Sequence, residues 1–192
     1  MVTVLMKENV PSDLQELLKI IPGSRLERLV RYSWFPLEEA VSDYNIREED
    51  IFSLTAGPVA IHFESGLVIG ASSNPGKNSV VLWVEKNELG EMVDNPLDKD
   101  HELFPFDAKE GSNMVFALGK RIAAVRVLHR KSSNVIMQEL PSEVGLVFDI
   151  VSGEQIVLSH GLHNNSDDFS VITPDQISSD LVVELDEVST YE

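Results

Sequence analysis

Two stretches constrain the fold of this chain more than anything else in it. Val59, Ile61 and Phe63 alternate with Ala60, His62 and Glu64, and Ser65-Gly66 then leads into Leu67-Val68-Ile69-Gly70. Alternation at period two lays one apolar row along one face of a strand, and a Ser-Gly step between two such runs reads as a β-hairpin. Val144-Gly145-Leu146-Val147-Phe148-Asp149 is built the same way and is followed by Ser152-Gly153 and another apolar run. Antiparallel sheet is therefore the expected framework, and the fold class is mainly β (α+β).

The similarity extends outward from the hairpins. Gly23-Ser24-Arg25-Leu26 lines up with Gly119-Lys120-Arg121-Ile122 at an offset of 96 residues, and Val59–Glu64 lines up with Val144–Asp149 at 85. Two four-strand units, 24–85 and 120–173, are expected within a single compact domain spanning 1–192. A long acidic, proline-bearing loop over 86–111 would join them, because loops of that length sit between units rather than within them. Leu26, Arg28, Val30, Tyr32 and Trp34 read as one face of the first strand, and Ser79–Glu85 as the fourth. A final strand is expected at Leu181–Leu185. Leu14, Leu17, Leu18 and Ile21 recur at helical spacing after Ser12, a capping-box position with Gln15, and Pro22-Gly23 ends the run. This short N-terminal helix is expected to pack on one face of the strands.

A chain of 192 residues without a single cysteine excludes a disulfide scaffold, a thiolate metal site and a cysteine nucleophile. Met1–Glu8 lacks the basic flank and long apolar run of a secretory signal. No apolar stretch approaches the roughly 20 residues that cross a bilayer. A bacterial, cytoplasmic protein without membrane contact is the expectation. The net charge of −17 is unevenly placed. No Lys or Arg follows Lys131, whereas twelve acids lie between Glu139 and Glu192. Such a field repels nucleic acid and attracts basic partners. The basic residues Lys120, Arg126, Arg130 and Lys131 are expected to balance acids on neighbouring strands.

The candidate partner-binding residues are accordingly the acids of the last segment: Asp167, Asp168, Asp175, Asp180, Glu184, Asp186 and Glu187. His160, His163 and Asp167 lie in one Asn-rich stretch and could hold a divalent metal, since imidazole and carboxylate are common ligands. His62 and Glu64 could act as an acid–base pair, but an acid before the Ser-Gly turn in both units speaks for turn chemistry. There is no G-x-S-x-G elbow, no H-E-x-x-H and no phosphate-cradling glycine loop. No catalytic residue is assigned and no cofactor is expected. The residues favour a binding protein over an enzyme.

Small size, freedom from cysteine, a C-terminal third that is wholly acidic from Glu139 to Glu192 and the lack of a catalytic motif together resemble, in kind, the immunity proteins of bacterial polymorphic-toxin and contact-dependent inhibition systems. The resemblance implies occlusion of a basic toxin surface by the acidic strands and the His160–Asp168 loop. A small-molecule or carbohydrate-binding β module is the second expectation, to be marked by a pocket lined by Trp34 or Trp83. A metal-dependent enzyme built on His160 and His163 is the third.

Overall fold

The structure, a computed structural model, describes residues 8–93, 102–109, 112–131 and 134–191. The chain is mainly β. Ten strands form two antiparallel five-stranded sheets. In the first, β1 (Leu26–Ser33), β2 (Val59–Phe63), β3 (Val68–Asn74) and β4 (Ser79–Lys86) follow one another as a meander, and β5 (Phe104–Asp107) adds to the outer side of β1. In the second, β6 (Ile122–Arg130), β7 (Gly145–Ile150), β8 (Gln155–His160) and β9 (Phe169–Ile172) repeat the meander, and β10 (Leu185–Tyr191) adds to the outer side of β6. Among the described residues no helix is long and apolar enough to cross a membrane.

One core lies between the sheets. Leu26, Leu29, Ile61, Phe63, Ile69 and Leu82 of the first sheet meet Ile122, Val125, Phe148, Ile156, Leu158 and Val171 of the second, all essentially inaccessible to solvent. The N-terminal segment closes it. A 3-10 turn, Pro11–Leu14, runs into the helix α1 (Gln15–Ile20), and Leu18 and Ile21 insert into the core. Ser12 does not cap this helix: its side chain makes no capping bond, and its amide donates instead to the Glu143 carboxylate at 2.8 Å. The proline one residue earlier starts the turn with no amide to be satisfied, so a cap has less to offer.

Each of β1 and β6 carries a bulge, between Leu26 and Arg28 and between Ile122 and Ala124. An extra residue in one strand shifts the side-chain phase by one. That is why Leu26 and Leu29, three apart, both face the core, while Arg28, Val30 and Tyr32 face outward. The period-two reading that grouped Leu26 with Arg28 failed at the bulge. The hairpins correspond at an offset of 87 residues, not 85. Leu26 pairs with Phe63 as Ile122 pairs with Ile150, so His62, not Glu64, occupies the place that Asp149 takes in the other sheet.

The segments 23–26 and 119–122 lie against each other, and their bonds come in exchanged pairs. Gly23 N–H donates to Ile122 O at 2.8 Å, and Gly119 N–H donates to Leu26 O at 2.7 Å. Leu26 N–H donates to Lys120 O and Ile122 N–H to Ser24 O. Each arginine then reaches across to the opposite glycine: Arg25 Nη1 donates to Gly119 O at 2.9 Å and Arg121 Nη1 to Gly23 O at 2.5 Å. Both glycines sit in the left-handed region, with φ of 82° and 74°, where a Cβ would strain the turn.

Two sequence expectations are corrected. The stretch 86–111 is not one loop: Lys86 bridges Met92, and β5 pairs with β1 over Val30–Ser33; residues 94–101 and 110–111 lie outside the described set. The last strand begins at Leu185, because Ser179–Val182 forms a helical turn, α5.

Candidate functional site

The connection between β1 and β2 holds the helix α2 (Leu37–Ser42), a 3-10 turn at Glu48–Asp50 and the helical turn α3 (Ile51–Leu54). Arg31 fastens it to the sheet. This side chain is completely buried and, among the described residues, meets no carboxylate; its guanidinium donates to the carbonyls of Phe52 (2.9 Å), Ser53 (3.0 Å), Gly57 (2.6 Å) and Phe169 (3.4 Å). The Phe52 and Phe169 rings flank the cation at 5.9 and 5.2 Å. Burial pushes the Arg31 pKa down to about 9, which leaves the group charged at neutral pH. Four carbonyl dipoles and two aromatic faces replace the anion that a buried charge ordinarily requires.

Held this way, residues 47–50 form one wall of an open cleft of about 830 Å3. The turn Gly153-Glu154-Gln155 between β7 and β8, the segment Thr173–Gln176 after β9 and the stretch around Asn113 and Phe116 supply the rest. Four carboxylates line the cleft, Glu49, Asp50, Glu154 and Asp175, against one cation, Arg47. Arg47 is shared by Glu49 at 2.7 Å and Asp50 at 2.6 Å. Asp50, buried, also accepts from Asn113 Nδ2 at 3.2 Å, and Ser53 Oγ donates to Asn113 Oδ1 at 2.7 Å. On the far side a capping box between Thr173 and Gln176 fixes the turn that carries Asp175. A hydrogen bond from Ser152, with one from its own backbone amide, holds the Glu154 carboxyl below the usual carboxylate range. The cleft thus presents fixed negative charge at neutral pH.

A second, smaller cavity of about 200 Å3 lies on the other side of the same connection. Ile46, Leu54 and Phe169 give it an apolar wall, and His163, Asn164, Asp168 and Ser170 a polar one.

The seven acids expected to meet a partner are spread over several elements. Glu184 pairs with Arg130 at 2.7 Å, Asp186 with Lys131 at 2.5 Å and Glu187 with Arg126 at 3.0 Å, so strand β6 neutralises the acids around the start of β10. Arg126 also grips Asp149 through two bonds of 2.7 and 2.8 Å. Asp175 belongs to the large cleft and Asp168 to the small cavity. Asp180 lies in the first turn of α5.

The three metal candidates are also dispersed. Among the described residues no group of three or more His, Asp or Glu side chains is placed to hold a metal ion. His160 ends strand β8, buried, with its Nε2 4.0 Å from Asp167 Oδ1. Burial pushes its pKa down, against the opposing pull of Asp167. His163 turns away to the Gln176 carbonyl, 3.1 Å from its Nδ1. His62 and Glu64 likewise separate: Glu64 pairs with Arg25 at 3.2 Å, while His62 stands opposite Arg28 on the outer face of the first sheet. Trp83 is buried and Trp34 is 45% exposed; neither lines either cavity.

The run Arg47-Glu48-Glu49-Asp50 was the one sequence signal for the cleft, an acidic cluster outside the C-terminal segment to which the charge argument pointed. Glu154, Asn113 and Phe116 carried no signal, since each is a member only by position in the fold. No protein-family model, curated protein or solved structure matches the chain.

Proposed function

We propose that this is a binding protein that captures a basic protein partner in the acidic cleft, acting by occlusion as an immunity or inhibitor protein does. The observation that carries the reading is the cleft itself: four carboxylates and one arginine around about 830 Å3, on a chain of net charge −17. A basic segment entering it would be steered by the long-range field and fixed by local pairing. The reading moves the contact surface. The acids of 184–187 each have a cation of their own, and the binding charge is that of Glu154 and Asp175, with what is left of Glu49, whose one partner, Arg47, is shared with Asp50. The same charge disfavours nucleic acid, whose phosphates it would repel.

The test is retention of a basic protein from host lysate at low salt by the wild type and by the triple variant Glu49→Gln, Glu154→Gln, Asp175→Asn. The expected result is one salt-sensitive basic partner, lost in the triple variant and kept in Asp186→Asn. Absence of such a partner, or retention that ignores the triple change, overturns the proposal. The volume also falls in the range of small-ligand sites, roughly 300–1,000 Å3. A small-molecule module is therefore the second reading, favoured if the triple variant loses a low-molecular-weight ligand instead.

A further inference from the structure

The small cavity beside the cleft has a chemistry of its own. Ile46, Leu54 and Phe169 form its apolar side. Its polar side holds acceptors. The carbonyl of Gln176 can only accept, so the His163 Nδ1 that lies 3.1 Å from it carries the proton, and Nε2 is left as the acceptor of the neutral ring. Asp168 takes a bond from Ser166 Oγ on Oδ2 at 2.8 Å, which leaves Oδ1 to a visitor. Ser170, a residue 6% exposed, belongs to the wall, and among the described residues its buried hydroxyl has no hydrogen-bond partner. A buried hydroxyl without a partner is unfavourable, so its place on a residue of the cavity wall points to a group that completes it.

The cavity is also pre-shaped. Gly161 N–H donates to Asp168 O at 3.1 Å, Asn165 N–H donates to Gly161 O at 2.8 Å, and Arg130 Nη1 holds Asn165 Oδ1 at 2.9 Å. Gly161 has φ of 71°, and a Cβ there would come within 2.3 Å of Ser166 O. The loop therefore closes only on glycine.

A cavity with Ile46, Leu54 and Phe169 on one side and His163, Asp168 and Ser170 on the other fits a cationic nitrogen on an aliphatic stem. We propose that this cavity receives the arginine or lysine side chain of a basic partner, anchoring it next to the acidic cleft; the identity of the guest rests on the partner reading above. The two sites touch. Ile46 and Arg47, consecutive in sequence, line one each, and Gln176, whose carbonyl accepts a hydrogen bond from His163, lines the cleft. A chain lying in the cleft has the anchor cavity within reach of a neighbouring side chain.

The test needs no partner. The full chain, labelled with 15N, is titrated with ethylguanidinium, with n-butylammonium and with uncharged ethylurea, and amide shifts are followed. Saturable shifts at residues 163 and 168–170 are expected with one or both cations and not with ethylurea. Asp168→Asn should weaken them by about ten-fold or more, the loss of a charge-assisted bond, while the remaining amides keep their positions; Ser170→Ala should weaken them less. Equal response to ethylurea, or no response at 163–170, overturns the anchor. Shifts confined to 47–50, 154 and 175 overturn it while leaving the cleft reading intact. Cation binding lost in Asp168→Asn, in a protein that retains no basic partner, would uphold the cavity and sink the partner reading alone.

Discussion

The two sheets share strand order, bulge position and hairpin register, yet equivalent positions are filled by different chemistry. Where the second sheet has Val127, the first has the buried Arg31; where the second pairs Val157 with Ile172, the first pairs Gly70 with Trp83. The outer face of the second sheet is closed by Arg126, Asp149, Gln155 and Glu187. The corresponding face of the first holds His62, Trp83 and Glu85, and each keeps a buried polar atom without a hydrogen-bond partner among the described residues. One backbone frame thus supports a sheet whose outer face carries an Arg126–Asp149–Gln155–Glu187 network and another whose arginine, Arg31, is turned to holding the cleft wall. The frame tolerates this because strand pairing uses only backbone groups, while side-chain identity decides what each face can carry.

Exchanging residues between the sheets tests how deep that difference runs. The largest effect is expected at Arg31. Arg31→Val, the residue of the second sheet, removes bonds to four carbonyls and leaves a void against α3, with a loss of about 4 kcal/mol in urea unfolding. The 47–54 connection should also become protease-sensitive. Unchanged stability would mean that the arginine does not fasten the cleft wall.

Gly70 comes next. A Cβ at this position would lie 2.0 Å from the Trp83 ring, which covers the glycine. Gly70→Val should cost about 2–3 kcal/mol through overpacking. Adding Trp83→Ile, which rebuilds the Val157–Ile172 pair, should recover part of that loss. A double variant worse than the single would show that the two faces are not interchangeable even as pairs.

The smallest effect separates the faces by pH. Burial would raise the Asp149 pKa, but the bonds from Arg126 and Gln155 outweigh it and hold the carboxyl below its ordinary value. Its stabilisation is therefore present above the unfolded pKa and lost as pH falls through the folded one. Glu85 is opposite: burial raises it, partly offset by the neighbouring Trp83, so its favourable form is the protonated one, lost as pH rises through the folded pKa. At pH 7, Asp149→Asn should lower stability and Glu85→Gln raise it, each by about 1 kcal/mol; the Asp149 difference fades below about pH 4, whereas the Glu85 difference fades earlier, as pH falls through its raised pKa towards the ordinary carboxylate range. Same-sign changes would erase the contrast between the faces.

The hairpins were legible because period-two alternation and a Ser-Gly turn are local signals. Val59, Ile61 and Phe63 face the core as that pattern required. Strand β10 was misplaced because Leu181-Val182-Val183 has strand composition, yet Leu181 is buried from a helical turn. Strand β5 was missed because Phe104-Pro105-Phe106-Asp107 is short and carries a proline, which is tolerated on an edge strand. The candidate site was legible only in part. The acidic excess was plain, and so was its balance by Arg126, Arg130 and Lys131. Which acids remained for a partner was not.

By itself, then, the sequence determined antiparallel sheet, the two hairpins and their correspondence to within two residues, the lack of thiol chemistry and the acidic field, because each follows from composition or from neighbours along the chain. Tertiary structure alone decided the rest. Arg31 reads as a surface strand residue until carbonyls 21 to 138 positions away surround it. The acids of 184–187 read as a binding face until β10 lays them beside β6. The cleft exists only where four separate segments meet. Charge in a sequence has a sign but no dielectric and no partner, and only folding supplies both.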